Sequence, residues 1–284
     1  MTFGVSTVRS RELGGAVRAA MDVAGLSGKQ LARLLDWSES KVSRVVTGNA
    51  VISEIDLSAM LALCHVTGRD RGYLLDLNRE QTILGWQTDH RILADNQCQA
   101  MRITEFQGSL IPILLQVEGY ARSIIARTTT VSFDKLDEQV AARMASQQIF
   151  NRSDPPNCIF FVHEVSLQLP IDSEEIMAEQ LHHLLRMSIR SSITIRVVPT
   201  ALGAKGSLIG SCCLMEFSDV NPVAYIDNDV AGFFVEQPAL ITAYQQTFAA
   251  LSAAALDEGS SRDLLRDVAA NHYGGPAVLT NMCG

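Results

Sequence analysis

The sequence predicts an α+β protein that consists of an all-α domain of five short helices followed by a mixed α/β domain. Between residues 8 and 76, apolar residues recur at helical spacing, and serine and glycine mark the ends of the repeats. Beyond residue 106, longer helical repeats alternate with short apolar runs typical of buried strands. The chain has 284 residues, of which 47% are hydrophobic and 19% charged. This length and composition allow two folded cores and exclude a disordered chain.

The first domain, residues 8–76, is predicted to consist of five short helices. The first is predicted over residues 12–24 and ends at Gly25. The fourth runs from about residue 53 to 66, and the fifth follows Gly68 and begins or continues at Gly72. Because helices of this length are not stable alone, all five must share one small core.

The second and third helices are short and closely spaced. Ser27 and Ser38 are their predicted N-caps, and Asp36 with Trp37 forms a tight connection between them. The apolar residues of the two helices are Leu31, Ala32, Leu34, Leu35, Val42, Val45 and Val46. The third helix ends at Gly48, since glycine is favoured just past a helix C-terminus.

The outward face of the third helix carries short polar residues and two cations, which suits entry into the major groove of DNA. Lys41 or Arg44 can pair with guanine, and neighbouring serines can reach base edges or phosphates. The predicted DNA-binding residues are Lys29, Gln30, Ser38, Glu39, Ser40, Lys41, Ser43, Arg44, Thr47 and Asn49. The alternative is a solvated helix face, which is the usual place for exposed cations.

This segment resembles the helix-turn-helix of Cro/cI-type repressors, the xenobiotic-response-element-like family. The matching residues are Leu31-Ala32, Trp37-Ser38, Ser40-Lys41-Val42-Ser43-Arg44 and Gly48. The resemblance implies that the third helix is a recognition helix that binds double-stranded DNA. The predicted fold is therefore a five-helix helix-turn-helix domain followed by a mixed α/β sensor or interaction domain.

The segment departs from the family pattern at three places. Gly28 stands where glutamine is common, and Asp36 stands where the turn often has glycine. Val46, with Met21 facing it, replaces a frequent pair of glutamate and arginine. An apolar pair is a sensible replacement, because desolvation of two charges can cancel their attraction. These changes leave the fold intact, but they prevent the transfer of individual base contacts from the family.

The charge distribution favours a dimer. Residues 1–80 have 10 Lys+Arg against 9 Asp+Glu, whereas the rest of the chain has 13 against 22, which gives the overall net charge of −8. Phosphate contacts dominate nonspecific affinity, so one such domain should bind DNA weakly. We therefore expect a homodimer that binds two half-sites and so reaches a higher affinity for DNA. The low charge of the chain and an apolar stripe after Pro238 suggest burial between subunits; the stripe contains Leu240, Ile241, Tyr244, Phe248 and Leu251.

The remainder of the chain is predicted as a helical linker over 77–105, an α/β domain over 106–274 and a flexible tail over 275–284. Predicted helices cover 134–150, 172–190, 238–256 and 261–271, and predicted strands cover 159–165, 193–198, 212–217 and 223–226. Asp172 and Glu175 form the capping-box pattern that opens the second of these helices. Gly203–Ser207 is interpreted as a hairpin loop, with an anion cradle as the alternative.

The order of these segments resembles the C-terminal domain of actinobacterial helix-turn-helix regulators, the WhiJ-like and antitoxin-like group. The matching residues are Leu110, Pro112, Leu114-Leu115-Gln116, Tyr120-Ala121-Arg122, Ala142-Arg143, Gln147, His163-Glu164, Leu167, Gln180-Leu181, Leu184-Leu185 and Ile193 to Pro199. Ile113 departs from the glycine that the family usually has. The resemblance implies transcription control, and some relatives are paired with a small protein encoded nearby.

Catalysis is not expected. The candidate acid–base groups are His163 beside Glu164, and His182-His183 with Glu179, but the known catalytic and nucleotide-binding motifs are absent. We interpret Glu164 as a strand-end carboxylate that accepts backbone or arginine donors. The six cysteines, with Cys212 beside Cys213, lack zinc-site spacing and are read as reduced thiols. We expect no metal or cofactor.

The sequence has no apolar run of membrane-spanning length and no signal-peptide pattern at its start. We therefore expect a cytoplasmic protein that associates with the nucleoid when it is bound to DNA, with no membrane partner. The leading hypothesis is a homodimeric, sequence-specific transcriptional regulator whose second domain senses a small molecule or a protein partner. The alternative is an antitoxin-like protein that neutralises a small partner and regulates its own operon.

Overall fold

The computed structural model describes residues 6–79, 87–88, 90–127, 135–203, 210–227 and 232–273. The chain divides into two compact units, Met1–Trp86 and Gln87–Gly284. The predicted tail over 275–284 and residues 204–207 of the predicted hairpin loop lie outside the described residues. No helix in the described part of the chain is long and apolar enough to cross a membrane.

The described part of the first unit consists of five helices, as predicted. They are α1 (Val8–Val23), α2 (Gly28–Leu34), α3 (Glu39–Val46), α4 (Glu54–Leu63) and α5 (Gly68–Arg79). All five contribute buried residues to one core, whose largest members include Leu13, Leu31, Leu57, Met60 and Leu61. Sharing this core stabilises helices that are too short to form alone.

The N-caps decide where these helices begin. Ser27, Ser38 and Ser53 each accept a hydrogen bond from the backbone N–H three residues later, which confirms the predicted starts of α2, α3 and α4. The first helix begins earlier than predicted, because Thr7 and Ser10 form a capping box there. The fifth begins at Gly68, before Gly72.

The second unit is built on a seven-stranded mixed sheet with the order β1-β7-β6-β5-β2-β3-β4. The strands are β1 (Gln87–Thr88), β2 (Arg102–Gln107), β3 (Asn157–His163), β4 (Ile193–Val198), β5 (Cys212–Glu216), β6 (Val223–Asp227) and β7 (Gly232–Val235). The adjacent strands β2, β3 and β4 are parallel, and all other pairings are antiparallel. The two units together confirm the predicted α+β class.

Helices connect these strands and cover the sheet. They are α6 (His90–Gln99), α7 (Glu118–Arg127), α8 (Leu136–Ser146), α9 (Glu164–Gln168), α10 (Glu174–Met187), α11 (Pro238–Ala254) and α12 (Glu258–His272). Short 3-10 turns lie at Ile113–Leu115, Gln147–Asn151 and Thr200–Leu202.

The predicted helical linker over 77–105 differs from the structure. Residues 87–88 and 102–105 belong to β1 and β2, and only α6 between them is helical. The strand β2 was not predicted because it lacks a strict alternation of polar and apolar residues. A central strand that is buried on both faces need not show that alternation. The predicted strand over 159–165 ends at His163, where α9 begins, and β7 was not predicted.

The predicted cap of α10 is also wrong. Ser173, not Asp172, is the N-cap, and its hydroxyl accepts from the Ile176 backbone N–H. The Asp172 carboxylate instead accepts from the Ser123 hydroxyl at 3.0 Å and from Arg127 at 2.9 Å, which ties the start of α10 to α7.

The apolar stripe of α11 is mostly core of its own unit. Ile241, Phe248 and Leu251 are buried in one cluster with residues of the sheet, and the rings of Phe248 and Phe161 stack with centroids 6.2 Å apart. Leu240 is 46% exposed and lies outside this cluster. The stripe therefore gives no support to the expected burial between subunits.

Candidate nucleic-acid interface

A tight left-handed turn joins α2 to α3. Asp36 has a φ of 55°, a conformation that glycine adopts freely and that aspartate tolerates better than most residues. The next backbone N–H, that of Trp37, donates to the carbonyl of Ala32 at 2.8 Å and closes the C-terminus of α2. The departure at Asp36 therefore preserves the turn that glycine usually makes.

Two glycines let α1 and the end of α3 approach backbone to backbone. A Cβ at Gly14 would lie 2.7 Å from the Val45 carbonyl oxygen, and a Cβ at Gly48 would lie 2.6 Å from the backbone of Arg11. Gly48 also has a φ of 71°, which confirms its predicted role as the end of α3. The Ser10 hydroxyl donates to the Gly48 carbonyl at 2.8 Å. These contacts fix the orientation of α3.

Arg18 and the apolar pair complete the contact between α1 and α3. The Arg18 guanidinium donates to the Val46 carbonyl at 3.3 Å, where the carbonyls at the end of a helix lack intrahelical partners. Met21 is buried in the core of the unit, and Val46 is half-buried against that core. Both line one groove of about 530 Å³ between α1, α2 and α3. Sequence reasoning missed Gly14 and Arg18; the signal for the glycine was a Gly-Gly pair inside a helix.

Nine of the ten predicted DNA-binding residues are exposed. They are Lys29, Gln30, Ser38, Glu39, Ser40, Ser43, Arg44, Thr47 and Asn49. Val42 and Val45 are buried on the opposite side of α3, as predicted. Among the described residues, the Arg44 side chain has no hydrogen bond or ion pair, so its guanidinium is free to reach a ligand. The small side chains of Ser40 and Ser43 would let α3 approach a base edge closely.

Lys41 is the exception. Its ammonium forms an ion pair with Asp56 of α4 at 2.8 Å and lies 3.6 Å from the centre of the Trp37 ring. Both partners hold the side chain against the domain, and Lys41 is only half-exposed. The structure thus places Lys41 in a contact between α3 and α4 and leaves Arg44 as the cation that the outward face of α3 presents.

Several exposed residues also make local hydrogen bonds. The Gln30 side-chain oxygen accepts from the N–H and the hydroxyl of Ser27, which forms a capping box at α2. The Thr47 hydroxyl donates to the Ser43 carbonyl at 2.8 Å and accepts from the Asn49 amide at 3.1 Å. Gln30 and Asn49 keep other polar atoms that can bind a ligand. The Thr47 hydroxyl already donates one hydrogen bond and accepts another.

Two of the polar residues singled out in the second unit, Glu164 and His163, make local structural contacts. The Glu164 carboxylate accepts from the N–H and the hydroxyl of Thr200, both at 2.7 Å, as its interpretation predicted for backbone donors. The His163 Nδ1 accepts from the Val165 N–H at 3.2 Å and caps α9. Burial, and secondarily Arg186, lower the pKa of His183, while His182 beside it is exposed. No group of metal-ligating side chains is found among the described residues.

The cysteines in the described part of the chain are free thiols. Cys64, Cys158, Cys212 and Cys213 are buried, and Cys98 is exposed. Burial raises the pKa of the Cys158 and Cys212 thiols to about 12, so these groups stay protonated and are poor nucleophiles.

The short capped helices, the left-handed turn and the exposed polar face of α3 define a helix-turn-helix domain. Consistent with this geometry, residues 12–74 match a helix-turn-helix domain family. Residues 91–267 match the family described as a domain of unknown function, DUF5753. That match covers more than half of the chain, which therefore belongs to this family. No curated protein and no solved structure was found to match the chain.

Proposed function

We propose that the protein is a sequence-specific transcriptional regulator of the Cro/cI type that reads DNA in the major groove and has no catalytic activity. The observation that carries this proposal is the outward face of α3, where Arg44 has no partner among the described residues and is flanked by short polar residues. A helix presented in this way fits a major groove, and Arg is the commonest bidentate reader of guanine.

The contacts that position α3 support the same proposal. The Ser38 cap fixes where α3 begins. The two glycine contacts hold its C-terminal end against α1, and the Lys41–Asp56 ion pair joins its first turn to α4. A recognition helix must be held in a defined orientation for bidentate contacts with bases to form. The contacts of α3 with α1 and α4 hold it in such an orientation.

The test begins with selection of duplexes that the full chain binds from a random DNA library. The enriched duplex is then titrated at one salt concentration with the wild type, Arg44→Ala and Arg69→Ala. We expect Arg44→Ala to weaken specific binding by about 1–3 kcal/mol. Arg69 is exposed on α5, outside the proposed interface, and its variant controls for the loss of one positive charge. Equal affinities of the wild type and Arg44→Ala would contradict the assignment of α3.

We further propose that the protein acts as a homodimer on two half-sites and that the second unit receives a signal from a small molecule or a protein partner. The net charge of +1 over residues 1–80 supports the dimer, since one domain would gain little from counterion release. Linked half-sites make the second contact effectively intramolecular. Sedimentation of the full chain with one-half-site and two-half-site duplexes tests this; a single chain bound to the longer duplex would contradict it.

The acidic second half supports one other candidate, an antitoxin-like protein that neutralises a small basic partner. Residues 81–284 have 13 Lys+Arg against 22 Asp+Glu, and such a surface attracts a basic protein. Co-purification from the native host distinguishes the two proposals. A small basic protein present in equal amount favours the antitoxin-like function, and its absence favours the regulator that senses a small molecule.

A further inference from the structure

A narrow cavity, lined by both apolar and polar residues, lies in the second unit at the carboxyl end of β2. On one side β2 is paired with β3, to which it runs parallel, and on the other side with the antiparallel β5. After β2 the chain continues to β3 on one edge of β2, and it later returns as β5 on the other edge. Ligands of open α/β sheets bind outside the carboxyl ends of strands at such points of reversal. The polar residues that line the cavity include Gln97, Glu105, Gln107, Cys213, Tyr225 and Asp227.

The Glu105 carboxyl group is the most deeply buried acid of this cavity. Its residue is 4% exposed, and among the described residues its one hydrogen-bond donor is the Gln107 amide at 3.2 Å. Its neighbours on the adjacent strands are Cys213 on β5 and Phe160 on β3, neither of which is a cation. A buried carboxylate is costly unless a positive charge or several donors compensate it. The described residues that line the cavity include no cation.

The other groups around Glu105 that the structure describes do not supply a cationic partner. Asp227 at the end of β6 adds a second acid, and the buried thiols of Cys158, Cys212 and Cys213 remain protonated. Arg143 of α8 interacts electrostatically with Asp227, and its hydrogen bond at 3.0 Å goes to the Gln116 side-chain oxygen. Tyr225 has no cationic form, so it does not supply a positive charge. Two acids and no cation are therefore found among the described residues that line the cavity.

The size of the cavity restricts what enters it. The free space admits about one water-sized group. An ammonium group is close to water in size, carries the missing positive charge and offers three donors to acceptors such as carboxylates. We propose that this cavity binds the ammonium group of a small primary amine, with Glu105 as its counterion.

This inference rests on the proposed function only for its consequence, namely that the amine is the signal which the second unit receives. Binding itself depends on the cavity alone. Burial raises the pKa of Glu105 to about 7, with Asp227 acting in the same direction. Since the ammonium ion pairs with the ionised carboxylate, amine affinity increases as the pH rises through this range.

The probe is methylammonium chloride, added to the full chain, with sodium chloride at the same concentration as the ionic-strength control. Thermal melts are recorded at about pH 6 and pH 8 for the wild type, Glu105→Gln and Glu138→Gln, the last being an exposed carboxylate on α8. At a probe concentration 100 times the dissociation constant, we expect the wild-type Tm at pH 8 to rise by about 5–10 °C. The rise is smaller at pH 6, persists in Glu138→Gln and is lost in Glu105→Gln.

A second measurement needs no variant. Infrared difference spectra of the wild type near pH 7 should show a buried protonated carboxyl group converting to a carboxylate when methylammonium is added. Absence of this conversion, or equal Tm shifts in the wild type and Glu105→Gln, would overturn the inference. Intact binding of the selected duplex in the same preparation would then show that only the amine site is wrong. Loss of duplex binding, with the amine shift present, would contradict the proposed function instead.

Discussion

Lys41 and Arg44 lie three residues apart on α3 and differ in what holds their side chains. The ammonium of Lys41 is shared between Asp56 and the Trp37 ring, whereas the guanidinium of Arg44 has no partner among the described residues. Lys41 therefore acts as a positioning residue in the proposed interface, and Arg44 as a residue that reads the ligand.

This division predicts opposite effects on stability and on base preference. Lys41→Ala should lower the free energy of unfolding by about 1 kcal/mol, because it removes a half-exposed ion pair and a cation–π contact. It should leave the preferred base at each position of the selected duplex unchanged. Arg44→Ala should leave stability within about 0.5 kcal/mol of the wild type, as exposed substitutions usually do. Urea unfolding and repeated duplex selection measure both properties.

A double-mutant cycle locates the energy of the Lys41 contact. If Lys41 and Asp56 are coupled, the double variant Lys41→Ala, Asp56→Ala should lose less stability than the sum of the two single variants. Strict additivity would mean that the ion pair does not hold α3 to α4.

At the scale of elements, the contact between α1 and α3 depends on Gly14 and Gly48, and the chain offers a comparison glycine for each of them. A Cβ at Gly14 would overlap the carbonyls of Val45 and Val46, whereas Gly15 beside it has open space. Gly48 combines a positive φ with a close approach to α1, whereas Gly25 has a positive φ and open space. Comparing the alanine variants of Gly14 and Gly15, or of Gly48 and Gly25, therefore separates the effect of helix packing from the effect of backbone conformation.

We predict that Gly15→Ala stabilises the first unit by about 0.5–1 kcal/mol, since alanine is the better helix former. Gly14→Ala should destabilise it despite the same gain in propensity, because α1 and α3 must move apart. Gly25→Ala should cost about 1–2 kcal/mol from the left-handed backbone alone, and Gly48→Ala more than that. Thermal melts of the four variants test the order; similar results for Gly14→Ala and Gly15→Ala would contradict the close contact of the two helices.

For the whole molecule, stability should depend on pH through Glu105. Its pKa is about 7 in the folded chain against 4.5 for an unperturbed group, so the folded state binds more protons between these two values. Stability is therefore lost as the pH rises through this window and stays lower above it. Glu105→Gln removes this dependence, and the difference in unfolding free energy between variant and wild type should change by about 3 kcal/mol from about pH 4.5 to about pH 8.

Urea unfolding of the wild type, Glu105→Gln and Glu138→Gln across this pH range measures the effect. The Glu138 variant controls for the loss of an exposed carboxylate and should follow the wild type. Parallel curves for the wild type and Glu105→Gln would show that the buried group does not titrate in this range.

The parts of the fold that could be predicted from sequence are those set by local chemistry. Ser27, Ser38 and Gly48 mark helix ends because capping and left-handed termination depend on a few adjacent residues. The central strand β2 could not be predicted, because its pattern reflects burial on both faces by distant parts of the chain. The ion pair between Lys41 and Asp56 was also not predicted, because it joins side chains of two different helices and depends on how those helices pack.

Parallel duplex selections with wild-type protein and Arg44→Ala test the central claim, that α3 reads DNA, most directly. Both full-length proteins are given the same random library at the same salt concentration. The wild type should enrich two half-sites with centres about one helical turn apart, or a multiple of that spacing. The variant should lose the preference for guanine at one position, the same in each half-site, and keep the base preferences at all other positions. Identical enriched sequences for the two proteins, or no enrichment by the wild type, would contradict the claim.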